Sequence, residues 1–163
     1  MKTFGSIGAV VVVLASAGAA SAAEAWSRTT QANGTAFYAC ASGDCGTGAT
    51  LSCRVLPPET VPSLEAFTAR IEKQIADLRA VGRDMVARPA TRAAMGEHVL
   101  YRTALLYGGT VPGFESGVLV GPREAFAVIS TASDAKATKR NFDRFVARLA
   151  KLPVAATAAE CPP

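Results

Sequence analysis

A chain of 163 residues, 50% of them hydrophobic and with a net charge of +4, is long enough to bury one core and only mildly basic. Acids are interleaved among its 17 lysines and arginines, whereas nucleic-acid binding asks for a basic stripe with aromatics beside it, so that class is excluded. A single histidine, His98, removes His-rich metal sites and every mechanism that needs two imidazoles.

The first 22 residues have the pattern of a secretory signal peptide. Met1, Lys2 and Thr3 make a weakly positive start, residues 7–17 are apolar or small, and Ala20-Ser21-Ala22 is a small-x-small cleavage site. A bilayer-spanning helix would need roughly 20 apolar residues. The mature protein is expected to begin near Ala23, leaving residues 23–163 as a single domain of about 140 residues in the periplasm or outside the cell. It is not expected to span a membrane, because charges such as Arg102 and Glu115 interrupt the longest later apolar run. Cys40 lies too far past the cleavage region to carry a lipoprotein's lipid.

Cys40, Cys45, Cys53 and Cys161 all lie beyond the cleavage site, and an even count in an exported chain implies two disulfides. Three pairings are open. A local bridge within residues 40–53 is favoured, with the remaining cysteine tying down the Cys161 tail. Were Cys53 that cysteine, its bridge would close roughly 100 residues and contribute about 4 to 5 kcal/mol in the chain-entropy account.

Short strands are expected at 26–30, 35–41 and 49–55. Asn33-Gly34 signals a two-residue hairpin between the first two, and the glycines of residues 42–48 permit a tight loop around Cys45. Pro57-Pro58 ends the third strand. A helix follows from an N-cap at Ser63, with Glu65 in its first turn, Leu64, Phe67, Ile71, Ile75 and Leu78 along one face, and Gly82 as its stop.

Residues 84–88 read as a short strand, followed by a polar link through Pro89 and a turn at Met95-Gly96. The longest strand, 97–107, carries Val99, Tyr101, Thr103, Leu105 and Tyr107 on one face and His98, Leu100, Arg102, Ala104 and Leu106 on the other. Both faces are partly apolar, which suggests a central strand covered by helices on one side and partly open on the other. Residues 108–113 read as a mobile loop, 116–120 and 125–131 as two more strands. A final helix runs from Ser133 or Asp134 to Lys151, with Ala135, Thr138, Phe142, Phe145, Val146 and Leu149 inward and a basic outer side. The expected fold class is α+β: an antiparallel sheet with two amphipathic helices, resembling an α/β/α sandwich and stabilised by disulfides.

Chemistry-bearing motifs are scarce. There is no nucleophile elbow, Walker loop, haem-attachment or zincin motif, and no cofactor or metal is called for. The spacing of Cys40, Cys45 and Cys53 is irregular for zinc. A strained, exchangeable Cys40/Cys45 bridge is an alternative, although four residues between the sulfurs differ from the Cys-x-x-Cys redox spacing. His98 reads as a packing residue, with a role as base to a nucleophile as the rival. Glu115 and Glu124 flank one hairpin and read as solvated rather than as an acid/base pair. Tyr101, Arg102, Tyr107 and Phe114 are candidate partner-binding residues, set against core filling by the tyrosines, and the 108–114 loop is the expected partner-contacting element.

The helix pattern Leu64-x-x-Phe67-x-x-x-Ile71, Tyr101-Arg102 on the long strand, and the run 126–132 leading into Asn141-Phe142-x-x-Phe145 resemble the PsbP-like group over residues 64–149. That group consists of small α/β/α sandwiches, among them many exported bacterial proteins. The resemblance implies a non-catalytic binding or assembly role and transfers no catalytic residue; the 40–53 cysteine segment lies outside it. The expected function is therefore a non-catalytic binding or assembly module for a protein or envelope component, its oligomeric state open. The alternative is an exported thiol-disulfide protein or small enzyme using Cys40 and Cys45. A weak contact with an anionic surface through the basic side of the last helix is a further expectation.

Overall fold

The computed structural model describes residues 26–152 and Cys161; the expected leader lies outside that span. The chain runs through β1 (Trp26–Thr30), β2 (Ala36–Cys40), β3 (Thr50–Leu56), α1 (Leu64–Ala80), β4 (Met85–Ala87), β5 (Thr91–Met95), β6 (His98–Tyr107), β7 (Val111–Val120), β8 (Ala125–Thr131) and α2 (Ala135–Leu149). All strand pairings are antiparallel. They build one sheet of 8 strands in the order β1-β2-β3-β8-β7-β6-β4, with β5 sharing the outer edge of β6 with β4. The fold is thus an antiparallel α+β architecture with two helices and two disulfides.

The helices lie on opposite faces. Along β6, β7 and β8, Leu100, Leu119 and Phe126 join Phe142, Phe145 and Leu149 of α2. Their neighbours Tyr101, Val118 and Ala125 join Phe67, Ile71 and Ile75 of α1. Alternate residues of one strand therefore feed two cores, as the period of two requires. The expectation that β6 is helix-covered on one side only is corrected. Its two polar residues on the α2 face, His98 and Arg102, suggested water, yet His98 is buried and Arg102 is half-buried in ion pairs.

Local signals account for most elements. Ser63 caps α1 by accepting from the Ala66 amide, and Asp134 caps α2 through Ala137. At the end of α1 the Arg83 and Gly82 amides return to the carbonyls of Leu78 and Arg79 while Gly82 takes a φ of 79°, a Schellman stop that glycine adopts without a Cβ clash. The β1–β2 connection is one residue longer than expected: Gln31 pairs back to Thr35, so the loop is Ala32-Asn33-Gly34.

Two segments depart from expectation. Residues 91–95 form β5, although Thr91, Arg92, Ala93 and Ala94 are exposed and show no alternation. The strand exists because β6 has open backbone groups upstream of β4, and pairing there overrides weak β propensity. Of residues 108–113, only Gly108 to Thr110 form a turn, and β7 begins at Val111. Leu105 faces Phe114 while Leu106 faces Pro112, which makes Gly113 a bulge. Pro112 is tolerated because β8 pairs β7 only from Glu115 onward, leaving residues 111–114 with β6 alone at their side.

The cysteines pair as Cys40–Cys45 and Cys53–Cys161, with Cα–Cα separations of 6.4 and 5.9 Å. The second bridge spans 108 positions and anchors Cys161 in the α2-side core, where its carbonyl accepts from the buried Tyr38 hydroxyl at 2.9 Å. Closing so long a loop is worth about 4 to 5 kcal/mol by denatured-state entropy.

Candidate functional site

The four candidate binding residues do not form one group. Tyr101 is only 6% exposed and stacks on Phe67 with ring centroids 6.1 Å apart, so it is part of the α1-side core. Phe114 packs half-buried against the same core. Arg102 points from the other face of β6. Tyr107 alone is exposed at the surface.

Arg102 joins sheet to helix. Its guanidinium donates to Glu115 at 2.8 Å and to Asp143 of α2 at 2.7 Å, and lies 4.9 Å from the centre of the Phe142 ring. Lys139 adds a 2.7 Å ion pair to the same Asp143. Burial pulls the Arg102 pKa down, but the hydrogen bonds and charges of Glu115 and then Asp143 outweigh it, so the group lies above its ordinary value. Below this cluster a Cβ on Gly117 would stand 2.6 Å from Phe142 Cζ and 2.8 Å from the Tyr101 carbonyl. The missing side chain is what lets Phe142 reach the sheet. Arg102 is thus spent on holding α2 in place.

The other candidates for chemistry are dispersed. Glu115 is not solvated as expected, and it faces Ser130, whereas Glu124 follows the turn at the opposite end of the β7–β8 ladder. The two carboxylates cannot work on one substrate atom. His98 is packed against the Gly121 backbone, where a Cβ would come within 2.9 Å of the ring. Among the described residues no group of three or more His, Cys, Asp or Glu is placed to hold a metal ion. Cys45 is buried, and its loop is fastened to α2: Asn141 Nδ2 donates to the Cys45 carbonyl at 2.7 Å and Arg140 to the Asp44 carbonyl at 2.6 Å. In sequence Asn141 entered only the resemblance pattern and was given no role, although it sits in the inward stripe of α2 between Thr138 and Phe145. Ala135, expected inward, is exposed.

Surface chemistry gathers elsewhere. Of the five exposed large hydrophobic side chains among the described residues, Val81, Val86, Tyr107 and Val111 lie at one end of the sheet; Phe37 lies on β2, across it. Backbone pairing brings that end together. Tyr107 pairs with Met85 on one side and Val111 on the other, Val86 pairs with Leu106, and the Gly108 amide donates to the Asp84 carbonyl at 3.0 Å. The α1 terminal turn, with Val81 at 71% exposure, leads into β4 at the same place. Sequence reasoning pointed to Tyr107 and the turn after it but missed Val81 and Val86, which become neighbours only through the β4–β6 pairing.

Three arginines frame this end. Arg79 donates to the Met85 carbonyl at 3.2 Å and its Nε lies 3.8 Å from Asp84. Arg83 and Arg88 form no ion pair among the described residues. Beside them an open groove of about 480 Å³ runs between α1 and β4, floored by Ile71, Ile75 and Ala87, with Glu72, Arg79 and Arg88 at its rim. Such a surface offers apolar contact and guanidinium donors. Its threonine hydroxyls are committed to backbone carbonyls, Thr68 to Leu64 at 2.9 Å and Thr103 to Arg88 at 2.6 Å.

Among the described residues no helix is long and apolar enough to cross a membrane, and the two disulfides suit an oxidising compartment. No protein-family model matches the chain, and no curated protein matches it.

Proposed function

We propose that the protein is an exported, non-catalytic binding or assembly module of the periplasm or extracellular space, and that it meets its partner through the β6–β7 turn, β4 and the end of α1. The observation that carries this is that four of the five exposed large hydrophobic side chains among the described residues, Val81, Val86, Tyr107 and Val111, lie at one end of the sheet, on or beside a hairpin whose remaining length is braced by cores on both faces. Exposed apolar clusters of this kind mark interaction sites. Export rests on the leader pattern of the first 22 residues together with the two bridges. The likeness of residues 64–149 to PsbP-like domains belongs to the same proposal.

The rival reading, thiol-disulfide exchange at Cys40 and Cys45, has less support. An attacking thiolate needs an accessible sulfur, and Cys45 is buried within a loop that is fastened to α2 through its own carbonyl. Rapid exchange of this bridge with glutathione would restore that reading.

Site-specific photocrosslinking in the exporting cell tests the proposal. A photoreactive residue at Val86 or Val111 is expected to give adducts, with protein or lipid, that the same residue at Thr29 on β1 does not. Equal yields from both ends, or no adduct from Val86 and Val111, would refute it.

A further inference from the structure

The chemistry of this end of the sheet identifies the partner more closely. It is made of element ends: a three-residue turn, the last turn of a helix, and the part of β7 that runs past β8. A stable protein–protein interface buries about 800 Å² on each partner around a packed centre. Four separated side chains at a tip provide only a few hundred Å² of apolar surface, and a deformable interface can envelop them without a matching cavity. Tyrosine suits that setting because its ring is apolar and its hydroxyl stays wet, as at the headgroup level of a bilayer.

The charges point the same way. Arg79, partly neutralised by Asp84, and the unpaired Arg83 lie at the β4 end of the tip, and the unpaired Arg88 lines the groove that leads from it; guanidinium groups match phosphate oxygens in charge and in fork geometry. The basic side of α2 lacks this combination. Lys139 is paired with Asp143 and Arg140 is bonded to the Asp44 carbonyl; Lys136, Arg144, Arg148 and Lys151 are exposed and unpaired among the described residues, but no large hydrophobic side chain of α2 is exposed beside them. An anionic contact through α2, expected from sequence, would have charge without an apolar anchor.

We propose that this end of the sheet docks the protein on an anionic phospholipid bilayer: Val81, Tyr107 and Val111 enter the headgroup boundary while Arg79, Arg83 and Arg88 meet lipid phosphates. The assignment rests on the binding-module reading above and names its partner. Contact is reversible and peripheral, because so few apolar side chains enter and each cation near an anionic surface strengthens binding only about fivefold.

The test is co-sedimentation of the exported product, its N-terminus verified by intact mass so that no leader remains, with two kinds of vesicle. Vesicles of equimolar phosphatidylcholine and phosphatidylglycerol should bind it, in a manner that weakens as salt rises. Pure phosphatidylcholine vesicles should bind it at least about tenfold less. The double variant R83E/R88E should lose roughly thirtyfold or more in affinity, Y107S/V111S should also lose affinity, and K136E/R144E on α2 should match the parent. Circular dichroism and a thiol count establish that each variant is folded and oxidised.

Orientation has its own reporter. Trp26 is the only tryptophan and lies on β1, at the far edge of the sheet. Brominated lipid should leave its emission unquenched while quenching Y107W made in a W26F background. Equal binding to both vesicle types, an unaffected R83E/R88E, or quenched Trp26 would each overturn the proposal. Photocrosslinks from Val111 to a protein with no vesicle binding would overturn the lipid assignment and leave the binding-module reading standing.

Discussion

The two faces of the sheet use the same kinds of residue to opposite ends. On the α2 side charge is internalised: Arg102 is held by Glu115 and Asp143, and a glycine opposite Phe142 lets helix and strands close together. A disulfide and the Tyr38 hydroxyl tie the Cys161 end to the same core. On the α1 side the core is apolar, an open groove remains beside β4, and arginines and hydrophobic side chains stay at the surface. Both sides carry cations unpaired among the described residues, Lys136, Arg144, Arg148 and Lys151 on α2 among them, but α2 exposes no large hydrophobic side chain beside them as the α1 end does, so that end is the one able to bind.

Breaking the α2 side should show this in stability. Removal of the Cys53–Cys161 bridge by the double alanine variant is expected to cost about 4 to 5 kcal/mol in urea unfolding, against about 2 kcal/mol for the Cys40–Cys45 pair, whose loop is far shorter. Phe142→Ala should cost about 3 to 5 kcal/mol, since the ring is fully buried between α2 and Gly117. Arg102→Ala should cost about 2 to 3 kcal/mol by leaving Glu115 half-buried and unpaired. That is below the full cost of breaking a buried pair, because the arginine side chain keeps 21% of its surface in water. Equal losses for the two disulfides, or a neutral Arg102→Ala, would erase the contrast between the faces.

Changes on the binding side should be nearly silent in stability. Y107S/V111S is expected to shift unfolding free energy by no more than about 0.5 kcal/mol per site, so any loss of binding reports contact rather than unfolding.

The smallest effect concerns pH. Glu65 is held below its ordinary value of 4.5, first by its backbone hydrogen bond and then by Ser63. Its folded pKa is depressed, so its stabilisation is present above the ordinary value and disappears as pH falls through the lowered one. The difference in melting temperature between the parent and Glu65→Gln should therefore shrink to nothing in acid. The raised pKa of Arg102 acts in the other direction: its contribution is present below its ordinary value and lost only as pH rises through a still higher one, so it stays constant across the working range.

Legibility followed the range of the forces involved. Ser63, Asp134 and the α1 stripe mark both helices because caps and a 3.6-residue period are written within one or two turns. β8, at residues 125–131, coincides with its expectation because its ends are set by Gly121-Pro122 before it and a helix cap after it. β5 had no such local sign, and Val111-Pro112-Gly113 carried a misleading one, since proline and glycine usually interrupt strands. Of the candidate surface, Tyr107 was visible in advance. Tyr101, Arg102 and Phe114 were assigned by proximity along the chain, and the alternation of β6 sends Tyr101 and Arg102 to opposite faces.

By itself the amino-acid order determined the helices, most strands, the antiparallel α+β class and the presence of two bridges, because each depends on local backbone preference, hydrophobic period or residue count. The tertiary structure alone decided that β3 pairs with β8, that the helices take opposite faces, that Cys53 reaches Cys161, and that Val81, Val86, Tyr107 and Val111 come to the same end of the sheet. Those are contacts between residues distant in the chain, selected by burial and backbone pairing among many alternatives that the local sequence leaves equally open.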